Sequence, residues 1–248
     1  MDKNNGKSPA PRFERRVRLV DEVANELRAR IYEGWYVPGS VIHQENLSTE
    51  LGISRTPLRE AIRMLEQEGL LIAEPGRGAR VVTANRKTLL AAYELRAVVD
   101  GLAARLSTVE MTEVDIVGLE RIVCAQEDSL NPWEPSDYTR LNIEFHESII
   151  RSTRNEFLIA QIVLLRMTAQ IFSPSMGVPQ SVAINAVQQH RGILAAIRER
   201  NANLAEYLAR RHIETTMERL REQDESGFGE GVISTGERHD RDGTRQVE

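Results

Sequence analysis

At 248 residues, 41% hydrophobic and 28% charged, the chain has the composition of a globular protein large enough to bury two cores. A net charge of −5 excludes a protein that coats nucleic acid indiscriminately, but not one whose positive charge is local. The single cysteine, Cys124, excludes an intrachain disulfide and points to a reducing compartment. The N-terminus MDKNNGKSPAP lacks the apolar core of a signal peptide. The longest apolar run, Leu158 to Met167, is interrupted by Gln161 and Arg166 and is too short for a membrane span. A cytoplasmic protein with no membrane partner is expected.

Residues 1–14 are polar and expected to be disordered, and the first twenty carry Lys3, Lys7, Arg12, Arg15, Arg16 and Arg18 against Asp2 and Glu14. A helix is expected from about Arg15 to Trp35, with Leu19, Val23, Leu27 and Ile31 on one face, followed by a Pro-Gly turn in YVPGS. The stretch Leu47 to Gly78 then reads as a helix ending near Leu51, a turn at Gly52 and a second helix from Ser54. Ser54 suits an N-cap, and Pro57 is tolerated in the first turn because N–H groups there lack intrahelical partners. At helical pitch Leu58, Ala61, Ile62 and Leu65 form a buried face, while Arg55, Arg59 and Arg63 span an adjacent arc of roughly 80°.

Leu70 to Ala73 and Ala79 to Thr83 are β-type runs joined by Glu74-Pro75-Gly76-Arg77-Gly78, which predicts a two-stranded wing. Three arginines alone would equally describe a solvated helix face. The helix–turn entry and the wing favour major-groove insertion, with Arg55 and Arg59 on base edges and Arg63 on backbone or in solvent. Ser54, Thr56 and the wing residues Gly76, Arg77 and Gly78 would lie against phosphate or the minor groove.

From about Lys87 the periodicity is helical throughout, with helices expected at roughly 87–107, 112–129, 136–152, 155–173, 180–200 and 202–223. Thr112 with Asp115, and Asn155 with Glu156, mark starts; Asn131-Pro132 and the Pro174-to-Pro179 stretch mark breaks. The tail from Asp224 holds five glycines and seven acids against three arginines and is expected to be disordered. The fold class is therefore mainly α. A disordered arm (1–14) and a winged helix-turn-helix (15–84) precede an all-α six-helix bundle (85–223) and an acidic tail (224–248).

Three of the five histidines lie in the bundle. Asn142 and His146 share a face at i and i+4, His190 belongs to the stripe Val187, His190, Leu194, Ile197, and His212 follows Leu208 by one turn. Three imidazoles on three inward-facing helices can meet at one point and hold a divalent transition metal. A histidine on an apolar stripe is nevertheless more often a hydrogen-bonded core residue than a ligand. Spacing between different helices proves no convergence, so both readings stand.

The segment SRTPLREAIRMLEQEGL with its Gly-flanked wing resembles the DNA-binding domain of the GntR family of bacterial transcription regulators. ELRAVVDGLAARL, NIEFHESII with TRNEFL, and the late His190 and His212 resemble the FCD ligand-binding domain of the FadR subgroup. The resemblance implies a homodimer on a near-palindromic operator, more often a repressor, responding to a small carboxylate effector bound beside the metal. It implies that Asn142, His146, His190 and His212 hold the metal, zinc or nickel foremost, where relatives commonly have Asp at the Asn142 position. The neutral amide is a weaker donor and leaves the site one unit more positive. Arg96, and secondarily Arg166, are the candidates to grip the effector's carboxylate, each alternatively a structural ion-pair partner.

A second departure is Glu45, where many relatives have Arg. The alternatives are a metal-dependent enzyme with an appended DNA-binding domain, and an architectural protein whose bundle only dimerises. Glu144 and Glu147 lie off the Asn142–His146 face, which leaves an enzyme without a general base; no enzymatic activity is expected.

Overall fold

The computed structural model describes residues 12–74, 78–171 and 178–222, with side chains omitted at 12–17 and 170–171. The expected arm up to residue 11, the wing tip 75–77 and the acidic tail lie outside the described residues. Helix α1 (Arg12–Tyr32) begins at Arg12 rather than Arg15 and stops short of Trp35. It ends because Gly34 takes φ +80°, which turns the chain so that the Trp35 N–H closes on the Arg30 carbonyl at 2.9 Å.

Helices α2 (Gln44–Glu50) and α3 (Arg55–Gln67) form the helix–turn–helix, and β2 (Leu71–Glu74) and β3 (Gly78–Val81) form the wing. A third strand, β1 (Val41–Ile42), pairs antiparallel with β3 and completes a sheet of order β1-β3-β2. Two residues are too few to show an alternating pattern, and this strand just after the YVPGS turn has no signal in the sequence.

The helical part comprises α4 (Arg86–Glu110), α5 (Glu113–Asp128), α6 (Pro135–Ser152), α9 (Gln180–Arg198) and α10 (Ala202–Glu222), with a broken segment between α6 and α9. The start of α5 is the expected capping box: the Asp115 carboxylate accepts from the Thr112 N–H at 2.8 Å, and the Thr112 hydroxyl accepts from the Asp115 N–H. Asn155 likewise caps the next helix, accepting from the Phe157 and Leu158 N–H groups.

The single helix expected over 155–173 is a correction. The chain forms α7 (Glu156–Ile159) and α8 (Ile162–Arg166), then a widened π-type turn over Met167–Ile171. The apolar spacing does not register this change of pitch. The Thr168 hydroxyl donates back to the Leu164 and Leu165 carbonyls, both at 2.9 Å, and such back-bonding bends a helix.

Two cores organise the chain. One joins Leu27, Leu58, Leu65 and Leu71 of the reader domain to Leu89, Tyr93 and Ala97 of α4 and Ile213, Met217 and Leu220 of α10. The other fills the far half of the bundle around Phe145, Ile116, Leu119, Ile193 and Ile197. The reader therefore shares a continuous apolar interior with the first and last bundle helices.

Gly78 is the tightest backbone approach. It stands at φ +124°, and a Cβ there would lie 2.1 Å from the Ile42 carbonyl oxygen. Gly78→Ala should therefore lower the urea midpoint at unchanged m-value, with a loss above about 1 kcal/mol. An unchanged midpoint would show that β1 and β3 do not pair as described.

Candidate functional site

Helix α3 sorts its side chains as the periodicity requires. Pro57, Leu58, Ala61, Ile62 and Leu65 are buried, whereas Ser54, Arg55, Thr56, Arg59 and Arg63 are exposed. Ser54 occupies the N-cap with extended backbone, but its hydroxyl makes no capping bond. Arg55 does not stand alone: its guanidinium donates to Glu45 of α2 at 2.6 Å, both side chains being well exposed. Of the wing candidates, Gly76 and Arg77 lie outside the described residues, and Gly78 opens β3 opposite Glu74 of β2.

The three bundle histidines do converge. His146 on α6, His190 on α9 and His212 on α10 are buried, and their ligand nitrogens all lie within 4.8 Å of one another. Each Nδ1 is held from behind by an oxygen. Asp100 Oδ1 is 2.7 Å from His146 Nδ1, Gln126 Oε1 is 2.9 Å from His190 Nδ1, and Gln189 Oε1 is 2.7 Å from His212 Nδ1. The ionised Asp100 can only accept, which gives His146 its Nδ1–H form, and oxygens at His190 and His212 favour the same tautomer, with Nε2 as the free ligand atom. His190 Nε2 and His212 Nε2 face each other at 3.3 Å. Phe145 stacks on His190 at 4.1 Å between ring centroids and stiffens the cluster.

Burial dominates the electrostatics of the three rings. Burial lowers the pKa of His190 and His212 well below the ordinary imidazole value, and each is lowered further by the neighbouring His ring. Burial likewise lowers His146, outweighing the opposing pull of Asp100. All three are neutral at pH 7, as metal ligation requires. Burial also opposes ionisation of Asp100, but Arg96 and His146 together hold its carboxyl far below the usual range, so it stays charged.

Asp100, one turn beyond Arg96 on α4, was not among the sequence candidates. The signal available was an acid at i+4 from an arginine on the same helix. Gln126 and Gln189 were missed as well, since a glutamine carries no mark of which neighbour it will orient. Asn142 stands one turn before His146 on α6 and is partly exposed.

Both effector candidates are engaged within the chain. Arg96 is buried, with Nη2 and Nε 3.2 and 3.3 Å from the two Asp100 oxygens, Nη1 3.0 Å from Thr168 Oγ1, and its guanidinium 5.3 Å from the Tyr93 ring centre. Arg166 is half-buried and donates to Glu147. Glu144 is exposed and paired with Arg140. The cavity beside His146, lined by Asp100, Phe145, Ile149 and Ile193, measures only about 10 Å3, room for at most a single water. A larger open groove of about 780 Å3 runs between α5 and α6, away from the histidines. No described helix is long and apolar enough to cross a membrane.

Comparison with known proteins agrees with this layout. Residues 19–81 match the model for bacterial regulatory proteins of the gntR family, and residues 91–215 match the FCD domain. The chain is 27% identical over 204 residues to the uncharacterised HTH-type transcriptional regulator YdhC of Bacillus subtilis (strain 168), covering 82% of this chain and 91% of that one. It is 25% identical over 224 residues to the galactonate operon transcriptional repressor of Escherichia coli (strain K12), covering 82% and 97%. The solved structure of E. coli McbR/YncC superposes with a TM-score of 0.72 at 19% identity, over 83% of this chain and 98% of that one, which shows the shared fold. The chain belongs to the GntR family of bacterial transcription regulators, a DNA-binding protein whose helical half is an FCD domain.

Proposed function

We propose that this regulator acts as a homodimeric repressor whose grip on a near-palindromic operator depends on what occupies the three-histidine site. The observation that carries the reading is the arrangement of His146, His190 and His212, with an oxygen behind every Nδ1 and two Nε2 atoms 3.3 Å apart. Nitrogen ligands at tetrahedral corners about 2.0–2.1 Å from zinc stand roughly 3.3 Å apart, so this pair already has the edge length such an ion needs. The residues fit the group. Once bound, a divalent cation would supply a Lewis-acidic anchor with open positions for an anionic ligand.

Charge supports the effector class. The Asp100–Arg96 pair is neutral and the three imidazoles are neutral, so a divalent cation would leave two positive charges without counterions in a buried site. A small carboxylate satisfies that imbalance. Arg96 would reach it only by releasing Asp100 or Thr168, and a cavity of about 10 Å3 cannot admit it without opening. Effector entry is thereby tied to a change in the packing around Arg96.

The dimer is supported by an exposed apolar stripe, Leu95, Val98, Leu102 and Val109 along α4, continued by Val114 and Val117 on α5. A second copy would cover it and set two α3 helices one operator half-site apart. The repressor relative in E. coli supports repression as the sign.

Protein purified without an affinity tag should carry about one zinc or nickel ion per chain, lost in His190→Ala. Elemental analysis showing no transition metal in the parent protein would return the histidines to a purely structural role. On the output side, Arg59→Ala should lose roughly 1–3 kcal/mol of preference for a duplex selected from a random pool. Glu45→Gln should free the Arg55 charge for the operator and steepen the salt dependence of log K by about 0.9. Selectivity and salt slope both unchanged would remove α3 as the reader.

A further inference from the structure

Three consecutive residues, Arg166, Met167 and Thr168, sit where α8 passes into its widened turn, and each points to a different part of the molecule. Thr168 receives Arg96 Nη1 at 3.0 Å, and Arg96 holds Asp100, which holds His146 at 2.7 Å. Arg166 pairs with Glu147, the residue next to His146 on α6, and lays its guanidinium 5.1 Å from the Tyr32 ring centre at the end of α1. Met167 packs over Gly69, its Cε 4.0 Å from where a Cβ would stand, immediately past the end of α3. Glu68, the C-cap of α3, is itself clamped by Arg28 of α1 through two bonds of 2.6 and 2.9 Å.

Two separate strings thus run from His146 into one short segment. One is covalent through Glu147 and ionic to Arg166; the other passes through Asp100, Arg96 and Thr168. The same segment bears directly on the last turns of α1 and α3. A π-type turn is an irregular backbone element with a regular alternative close by, the kind of element that two arrangements can share. Coupling requires that occupancy of one site favour one of those arrangements energetically.

We propose that Arg166, Met167 and Thr168 form the coupling element of this protein, positioning residues that transmit the state of the histidine site to the C-terminal end of the reader helix. This rests on the regulator reading above. In it, Arg166 is a latch between the domains and does not grip the effector.

The test uses the full chain and hydrogen exchange at Met64–Leu70, first without metal and then with zinc or nickel ions alone. In the metal-free protein, Asp100→Asn and Arg166→Met should each raise exchange there several-fold, and the double variant should raise it by much less than the product. With metal, the parent chain should slow exchange at Met64–Leu70 by about tenfold. Glu147→Gln and Arg166→Met should keep metal affinity within about threefold, measured by chelator competition, yet lose that slowing, and Arg166→Lys should restore part of it. Multiplicative effects in the metal-free cycle, or full slowing retained in Glu147→Gln and Arg166→Met, would overturn the coupling. A non-multiplicative cycle in a chain that binds no metal would uphold the coupling and discard the metal reading. Glu147→Gln is nearly isosteric, so its cooperative melting serves as the folding control.

Discussion

Two imidazole Nε2 atoms held 3.3 Å apart in a dry bundle interior must share either a proton or a cation. That constraint shapes the site in the helical half of this protein. His190 and His212 meet through Nε2 atoms because Gln126 and Gln189 place oxygens against their Nδ1 atoms, and Asp100 does the same for His146. Gln126 turns its oxygen to His190 at the cost of a buried amide nitrogen with no hydrogen-bond partner.

The rest follows from where those orienting groups are anchored. Asp100 stays ionised in the interior because Arg96 lies one turn away on the same helix, and Arg96 stays in place because Thr168 accepts from its Nη1 and the Tyr93 ring lies against its guanidinium. These residues lie on α4 and on the turn after α8, which also border the core shared with the reader domain. Tyr93 and Ala97 of α4 pack into the same apolar cluster as Leu58 and Leu65 of α3. The histidines are therefore joined to the DNA-reading half by side chains already in contact.

Much of this was legible in the residues, for identifiable reasons. The faces of α3 could be read because a 13-residue amphipathic helix keeps one pitch throughout, and Leu58, Ala61, Ile62 and Leu65 are buried as that pitch demands. The capping box at Thr112 and the Asn155 cap are local hydrogen bonds, written within four residues of sequence. His190 and His212 were visible because titratable rings on apolar stripes stand out.

What stayed hidden is non-local or too short to have a period. Strand β1 is two residues long and exists through its pairing with β3. The widened turn goes with Thr168 back-bonding to Leu164 and Leu165, and neither it nor the break at Ala160–Gln161 disturbs the apolar spacing. Arg96 and Arg166 were recognised as available cations, but their partners were fixed only by folding. Glu45, noted as a departure from relatives, acquires meaning only once Arg55 is seen beside it.

The central claim is that the three imidazoles present unprotonated Nε2 atoms to a common cation. It is tested most directly by 15N-resolved NMR of the histidine rings in the protein as purified. The account predicts that His146, His190 and His212 are all Nδ1–H tautomers with metal-shifted Nε2 resonances. A proton on His190 Nε2, donated to His212, would contradict it.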